Sequence, residues 1–432
     1  MQKSTINLRK LYIKKRTLPQ WLVFFLLIMP FTFGLLIDFL GLPTLVRFSL
    51  DFVLVGLLII MFSRTQNRVK RVTAPLVIYF GLLCLYLVLN YIINFQSIFY
   101  FIWGFRNNFR FIFAFFAFVA LIDSVDAEQY LKYFDVLFWV NFAVCLVQFY
   151  FMGYRQDFLG GLFGVSVGCN AYLNIFLCII NIKSLIYFLN KKEKFVFVIL
   201  KLFASFFIGA LSELKFFYIE FIVILCVVSL ITKFTWKKVG IIALSLVGVV
   251  VGVAVLISIF PEYMGQFTLE LLYESAASDK GYTSSGDINR LSAISTISSD
   301  MFSKWYHYLF GLGLGNCDLS SISVFNTPFY EAHSDVNYNW FSHAFMYLET
   351  GYIGLILFFG LFLVLFLLAR KSNKSGYADP NHCQIAMTTA IMCMLICIYN
   401  SSLRSDSVYM VSFILALPFI KREEAEKSPL EG

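Results

Sequence analysis

Arg106 and Arg110, in WGFRNNFRFIFAF (103–115), stand in a run otherwise apolar enough for lipid. At that spacing they share one face of a helix. Charge inside a membrane marks a functional site by default; the competing reading is that both side chains snorkel to lipid phosphate. Flanking Trp103 and Phe105, with Asn107 and Asn108 between the arginines, suit a packed cavity wall instead. Lys215 in GALSELKFFYIEF, Arg290 in DINRLSAIS and Arg404 in YNSSLRSDSVY add cations, and His307, His333 and His343 add imidazoles. A guanidinium is a planar fork that grips phosphate oxygens in pairs and keeps its charge at any working pH. Aimed at a leaving diphosphate, such groups stabilise the developing charge without a metal. A hydroxyl acceptor then needs a general base, which a histidine or carboxylate within reach supplies. Neither a DxD motif nor a His–Asp cluster with metal-ligand spacing occurs, so the expected site is metal-independent.

The elements that must position these residues read as membrane helices. Of 432 residues, 59% are hydrophobic and only 14% charged, against about 25% charged in soluble domains. Apolar segments fall near 21–37, 45–62, 74–95, 97–122, 130–151, 168–189, 195–210, 216–232, 239–260, 344–369, 385–399 and 405–420, most of a length that spans hydrocarbon. The expectation is an all-α, polytopic membrane protein of about twelve helices. Residues 3–16 hold six Lys and Arg and place the N-terminus in the cytoplasm. Alternation then puts 64–71, 190–194, 233–238, 369–374 and 421–427 on that same side, with both termini cytoplasmic. The N-terminal stretch resembles a signal peptide but ends at Asp38 without a small-residue cleavage site, so it reads as an uncleaved first helix.

The organisation expected is helices one to nine over 1–260, an extracytoplasmic loop over 261–342, helices ten to twelve over 343–420 and a cytoplasmic tail over 421–432. The loop is polar and acidic, with helices expected near 262–276 and 287–308. Its length points to function. The net charge of +8 sits in short clusters between apolar runs, which excludes a nucleic-acid stripe. Nine cysteines without a CxxC pair form neither a disulfide framework nor a metal knuckle. FGLGLGN (310–316) has the glycines of a nucleotide loop but follows no strand; it reads as a tight turn that lets backbones approach. Glu349 opens YLETGYIGLILFFGLF, whose Gly351, Gly354 and Gly360 suit close helix packing.

In order, Arg290 on a loop, FGLGLG at 310–315, HSD at 333–335 and ETGYIGL at 349–355 resemble bacterial O-antigen polymerases and ligases. The likeness covers the last third of the chain and, in outline, all of it. It implies a GT-C-type fold with a large extracytoplasmic loop before helix 10. It also implies a metal-independent, inverting glycosyltransferase in the bacterial plasma (inner) membrane, acting on its outer face without a cofactor. The implied donor is an undecaprenyl-diphosphate-linked oligosaccharide, with membrane lipids and a chain-length regulator protein as further partners and no nucleic acid. Arg290 matches the family's diphosphate-holding loop arginine, and Lys215 stands where relatives often have arginine. His333 is the best match to the family histidine. It precedes Glu349 by sixteen residues and His343 precedes it by six, whereas relatives have a spacing between the two. The expected diphosphate-binding set is therefore Arg106, Arg110, Lys215, Arg290 and Arg404; the expected catalytic set is Arg290, Glu349 and either His333 or His343. The activity expected is polymerisation of lipid-linked repeat units for O-antigen, capsule or another exopolysaccharide. The alternatives are a ligase with lipid A core as acceptor and a transporter or flippase of the same lipid-linked oligosaccharides. A transporter should carry polar residues through its helices and on both faces; Lys201 and the pair Arg47 and Asp51 are the main residues of that kind.

Overall fold

The structure is a computed structural model that describes residues 17–63, 73–261, 281–283, 286–320, 322 and 325–420. The basic stretches at 3–16 and 64–71, the helix expected near 262–276 and the tail at 421–432 lie outside the described residues.

Every apolar segment of the sequence forms helix. The long elements are α1 (Leu18–Ile28), α2 (Pro30–Leu40), α3 (Ser49–Ser63), α4 (Ala74–Asn94), α5 (Ile98–Leu121), α6 (Ser124–Tyr150), α7 (Cys169–Leu189), α8 (Phe195–Leu211), α9 (Lys215–Ile231) and α10 (Trp236–Ile259). Loop helices α11 (Ala293–Asp300), α12 (His307–Phe310) and α13 (Pro328–His333) follow, then α14 (Ser342–Ser375), α15 (Pro380–Tyr399) and α16 (Val408–Ala416). Among the described residues no strand forms beyond one isolated bridge, Tyr282 to Ile288. Among the described residues seven helices are long and apolar enough to cross a membrane, and an eighth span results if α1 and α2 count as one. α8, α9 and α16 are short, and α5 carries two arginines and two asparagines.

Two expected boundaries change. The first span is broken at Met29–Pro30 and bends by 57°, because proline lacks the amide hydrogen and its ring clashes with the preceding turn. The helix expected over 287–308 is reduced to α11 and α12. Residues 287–289 turn outward to pair elsewhere, Ile288 N–H donating to the Val336 carbonyl at 2.9 Å and Asn289 N–H to that of Gly281 at 3.0 Å.

Contacts sort the connections into two ends of the bundle. At one end Asp38 accepts from Val165 and Ser166 N–H, Asp51 pairs with Arg106, and Asn170 donates to the Ser212 carbonyl. At the other, Gln20 donates to Asp126, Asn190 to Gln384 and Lys192 to Asp379. Successive long helices therefore run up and down, with the cations of interest at the first end. α7 lies inside the bundle, buried over most of its length. Phenylalanine fills the space around it: Phe31 sits against Phe163 and Phe176 at centroid distances of 4.9 and 4.7 Å.

Candidate functional site

The third and fourth turns of α5 hold Arg106, Asn107, Asn108 and Arg110, and neighbouring elements close on them. Arg106 forms an ion pair with Asp51 at the start of α3 and donates to Asn107 Oδ1 at 2.7 Å. Arg110 donates to Asp406 Oδ1 at 3.1 Å and to the Arg404 carbonyl at 2.9 Å. Arg404 donates to Asp318 Oδ2 at 2.8 Å and to Asn108 Oδ1 at 3.0 Å, and its guanidinium lies 3.6 Å over the Phe345 ring. Arg47 reaches the second oxygen of Asp406 at 3.3 Å. Arg110 is only 4% exposed, so it does not snorkel to lipid. Paired and hydrogen-bonded charges of this kind survive burial because each guanidinium has an acceptor. Four arginines meet three aspartates here, which leaves little free positive charge.

The glycine-rich turn locks this layer to α14. Gly311, Gly313 and Gly315 all have positive φ, a region that side chains rarely enter. A Cβ on Gly315 would lie 1.9 Å from the Tyr100 carbonyl oxygen, and one on Gly311 would lie 2.4 Å from the Glu349 backbone. Leu312 and Gly313 N–H donate to the carbonyls of Leu348 and Glu349 at 2.8 and 2.9 Å. Gly351 breaks the helical dihedrals of α14 at φ 62°, which opens room for the turn. The Glu349 side chain is fully buried; Oε1 accepts from Cys317 N–H at 3.2 Å, and Oε2 has no partner among the described residues. Glu349 thus stands beside Asp318 and Arg404 as part of the turn's support.

Arg290 is built differently. Its guanidinium is stacked between Phe341 at 4.7 Å and Tyr399 at 4.6 Å, a cation–π arrangement on both faces. Phe216 covers the far side of Tyr399 at 4.3 Å with an interplanar angle of 12°, next to Lys215, which pairs with Glu213 at 3.0 Å. Among the described residues no carboxylate pairs with Arg290, and its Nε is buried without a partner. Burial pulls its pKa below the ordinary arginine value, and the Tyr399 phenol opposes that shift. A desolvated cation without a counter-ion is a site prepared for an anion.

The two histidines part ways. His343 has both ring nitrogens on backbone carbonyls, Nδ1 at 3.2 Å from Cys397 and Nε2 at 3.0 Å from Arg290. It braces the chain that carries the arginine. His333 ends α13 with its ring stacked on Phe329 at 4.3 Å and Nδ1 at 3.2 Å from the Phe329 carbonyl. Its Nε2 has no partner among the described residues, and its segment is tied to that of Arg290 through Ile288 to Val336 and through Asn337 to Asp287 at 2.6 Å.

The structure therefore divides the expected site residues into two groups. Arg106, Arg110, Arg404 and Glu349 belong to a compensated polar layer, while Lys215, Arg290 and His343 gather around the aromatic stack, with His333 on an adjoining turn. Residues 400–403 join the groups, since Tyr399 ends α15 just before Arg404. The reading of the sequence missed Phe341, Tyr399 and Phe216 as partners of Arg290 and Asp318 as the link between α5 and Arg404. No group of His, Cys, Asp and Glu suited to a metal ion occurs among the described residues. The chain matches no protein-family model and no curated protein.

Proposed function

We propose that this protein is a polysaccharide polymerase of the plasma membrane. It moves a growing glycan from undecaprenyl diphosphate to a sugar hydroxyl on a second lipid-linked repeat unit. The observation that carries the reading is Arg290, a half-buried guanidinium between Phe341 and Tyr399 that meets no carboxylate among the described residues. Such a cation is free to take the donor diphosphate, with Lys215 near the same aromatic stack. His333, with a nitrogen uncommitted, is the better placed base for the acceptor hydroxyl; His343 serves as the brace of Arg290. The compensated layer of Arg106, Arg110 and Arg404 fixes the floor of the site. A ligase would use the same donor with a different acceptor.

Buried polar groups inside the bundle favour a second reading, transport of the same lipid-linked substrate. Glu220 on α9 is fully buried and accepts from Asn174 at 2.7 Å, and Asn181 and Lys183 lie buried farther along α7. Proteoliposomes loaded with lipid-linked repeat units separate the readings. A polymerase yields a ladder of longer lipid-linked glycans on gels, a ligase none without a lipid A core acceptor, and a transporter moves single units across the bilayer unchanged. Absence of any ladder from the purified protein with donor and acceptor units supplied would remove the polymerase reading.

A further inference from the structure

At the opposite end of the bundle from Arg290, α6, α7, α8 and the α7–α8 connection line an open cavity of about 290 Å³, at the small end of ligand pockets of roughly 300–1,000 Å³. Two lysines reach into its wall from different helices. Lys183 on α7 and Lys201 on α8 are each almost fully buried, and they share one carboxylate, Asp135 on α6. Lys183 also donates to the Leu131 carbonyl at 3.1 Å, and Lys201 to Glu193 at 2.6 Å. An ammonium group has three N–H bonds, so each lysine keeps one uncommitted among the described residues. Lys132 adds a fourth cation to the lining besides Lys192; it is exposed and has no ion pair among the described residues. Lys183 and Lys201 are matched by Asp135 and Glu193, and Lys192 pairs with Glu128 and Asp379, so the excess positive charge of the lining is that of Lys132.

The position and the rim identify the ligand class. Lys183 and Lys201 each lie six residues inside a helix end, or about 9 Å at 1.5 Å per residue. With the helix ends at the membrane surface, that depth is where headgroups give way to acyl chains. The rim is polar on one side, where Lys132 and Lys192 are exposed, and apolar on the other: Trp139 on α6 and Phe197 on α8 line the cavity and are exposed. Exposed Val140, Leu200 and Phe203 continue the apolar surface down the same two helices. A free phosphate has no use for such a surface, whereas lipid tails do. We infer that the cavity between α6, α7 and α8 binds the phosphate headgroup of an anionic phospholipid, with Lys132, Lys183 and Lys201 on the phosphate and the acyl chains along α6 and α8.

The test uses the full chain purified in detergent and titrated with phosphatidylglycerol, phosphatidylcholine and inorganic phosphate, read by native mass spectrometry and thermal shift. Phosphatidylglycerol is expected to bind saturably and raise the melting temperature, with phosphatidylcholine clearly weaker. Lys132→Gln removes an exposed charge that no ion pair needs, so the protein folds, and it should weaken phosphatidylglycerol about fivefold. Lys201→Gln should weaken it further. Equal binding of the two lipids, or unchanged phosphatidylglycerol affinity in Lys132→Gln, overturns the proposal. A shift from inorganic phosphate as large as from the lipid replaces it with a small-anion site.

Discussion

His343 and Arg290 meet through the backbone, the imidazole Nε2 lying 3.0 Å from the arginine's carbonyl oxygen while the guanidinium points into its aromatic stack. The histidine acts on the position of the arginine, not on its charge. The neutral imidazole donates to one of its two carbonyl neighbours, so His343→Ala should leave one carbonyl, of Cys397 or Arg290, without its donor and lower stability by about 1–3 kcal/mol, read as a fall in melting temperature. If its role is bracing, the variant's pH–rate profile keeps the wild-type shape at reduced height. A lost acid limb would instead make His343 the base, and the limb should vanish in His333→Ala.

Arg290 itself is the sharpest test of the site. Arg290→Ala should cut chain extension by roughly 10²–10³ with normal membrane insertion, because no other cation in the aromatic stack replaces it. Arg290→Lys keeps the charge but loses the planar fork and the two-sided stacking, so an intermediate loss is expected. Glycan ladders on gels read both; full-length chains from Arg290→Ala would take the residue out of the site.

The buried pair of Arg110 and Asp406 predicts a stability result of another kind. Asp406→Leu alone leaves the Arg110 guanidinium buried without its carboxylate and should cost about 3–5 kcal/mol; Arg110→Met alone should cost less, because Arg47 still pairs with Asp406. The double variant should recover much of the Asp406→Leu loss, since the buried guanidinium goes with its carboxylate and Arg47 is part-exposed. A double-mutant cycle on melting temperature in detergent checks this, and strictly additive losses would mean that the two residues do not couple.

What could be read from the sequence follows from the range of the interactions. Helices show in it because an apolar run of membrane length is a local signal; all twelve runs became helix. The kink at Pro30 was visible as a residue type, but its 57° bend depends on what packs beside it. The glycine turn was legible as glycine spacing, while its seat against Gly104 and Glu349 joins residues far apart in the chain. The Arg pair at 106 and 110 pointed to a packed wall, yet it gave no hint that Asp51 and Asp406 would come from two other elements to compensate it, or that Asp318 would join Asn107 to Arg404. For Arg290 the aromatic partners Phe341 and Tyr399 lie too far along the chain for any spacing rule to connect them.

Glycine substitutions separate space from backbone strain. Gly315→Ala should abolish folding, as its Cβ would enter the Tyr100 carbonyl and Gly104 cannot retreat. Gly286→Ala has positive φ but meets nothing within 4 Å among the described residues, so it should cost only about 1 kcal/mol of backbone strain. Yield of monodisperse protein distinguishes them, and equal yields would refute the close fit at Gly315.

Acid stability should depend on Asp379, which lies between α14 and α15. Burial raises its pKa, but hydrogen bonds from Lys192 and Asn381 outweigh that and hold it at about 2, below its ordinary value of 3.8. A depressed carboxylate contributes stability that is complete above the unfolded value and is lost as pH falls through the folded one. Melting temperature should therefore drop between those two values, and Asp379→Asn should flatten that part of the curve. An unchanged slope would assign the acid limb to other carboxylates.

The break at Gly351 has a mechanical consequence. With the 311–315 turn wedged into the gap and pressed on α5 as well, the first turns of α14 and the upper part of α5 are keyed to one rigid strut. A displacement that starts at Arg290 or Tyr399 cannot be absorbed as a loop flexing on its own; it must tilt whole helices, so a diphosphate held by Arg290, as proposed, would be felt across the width of the bundle.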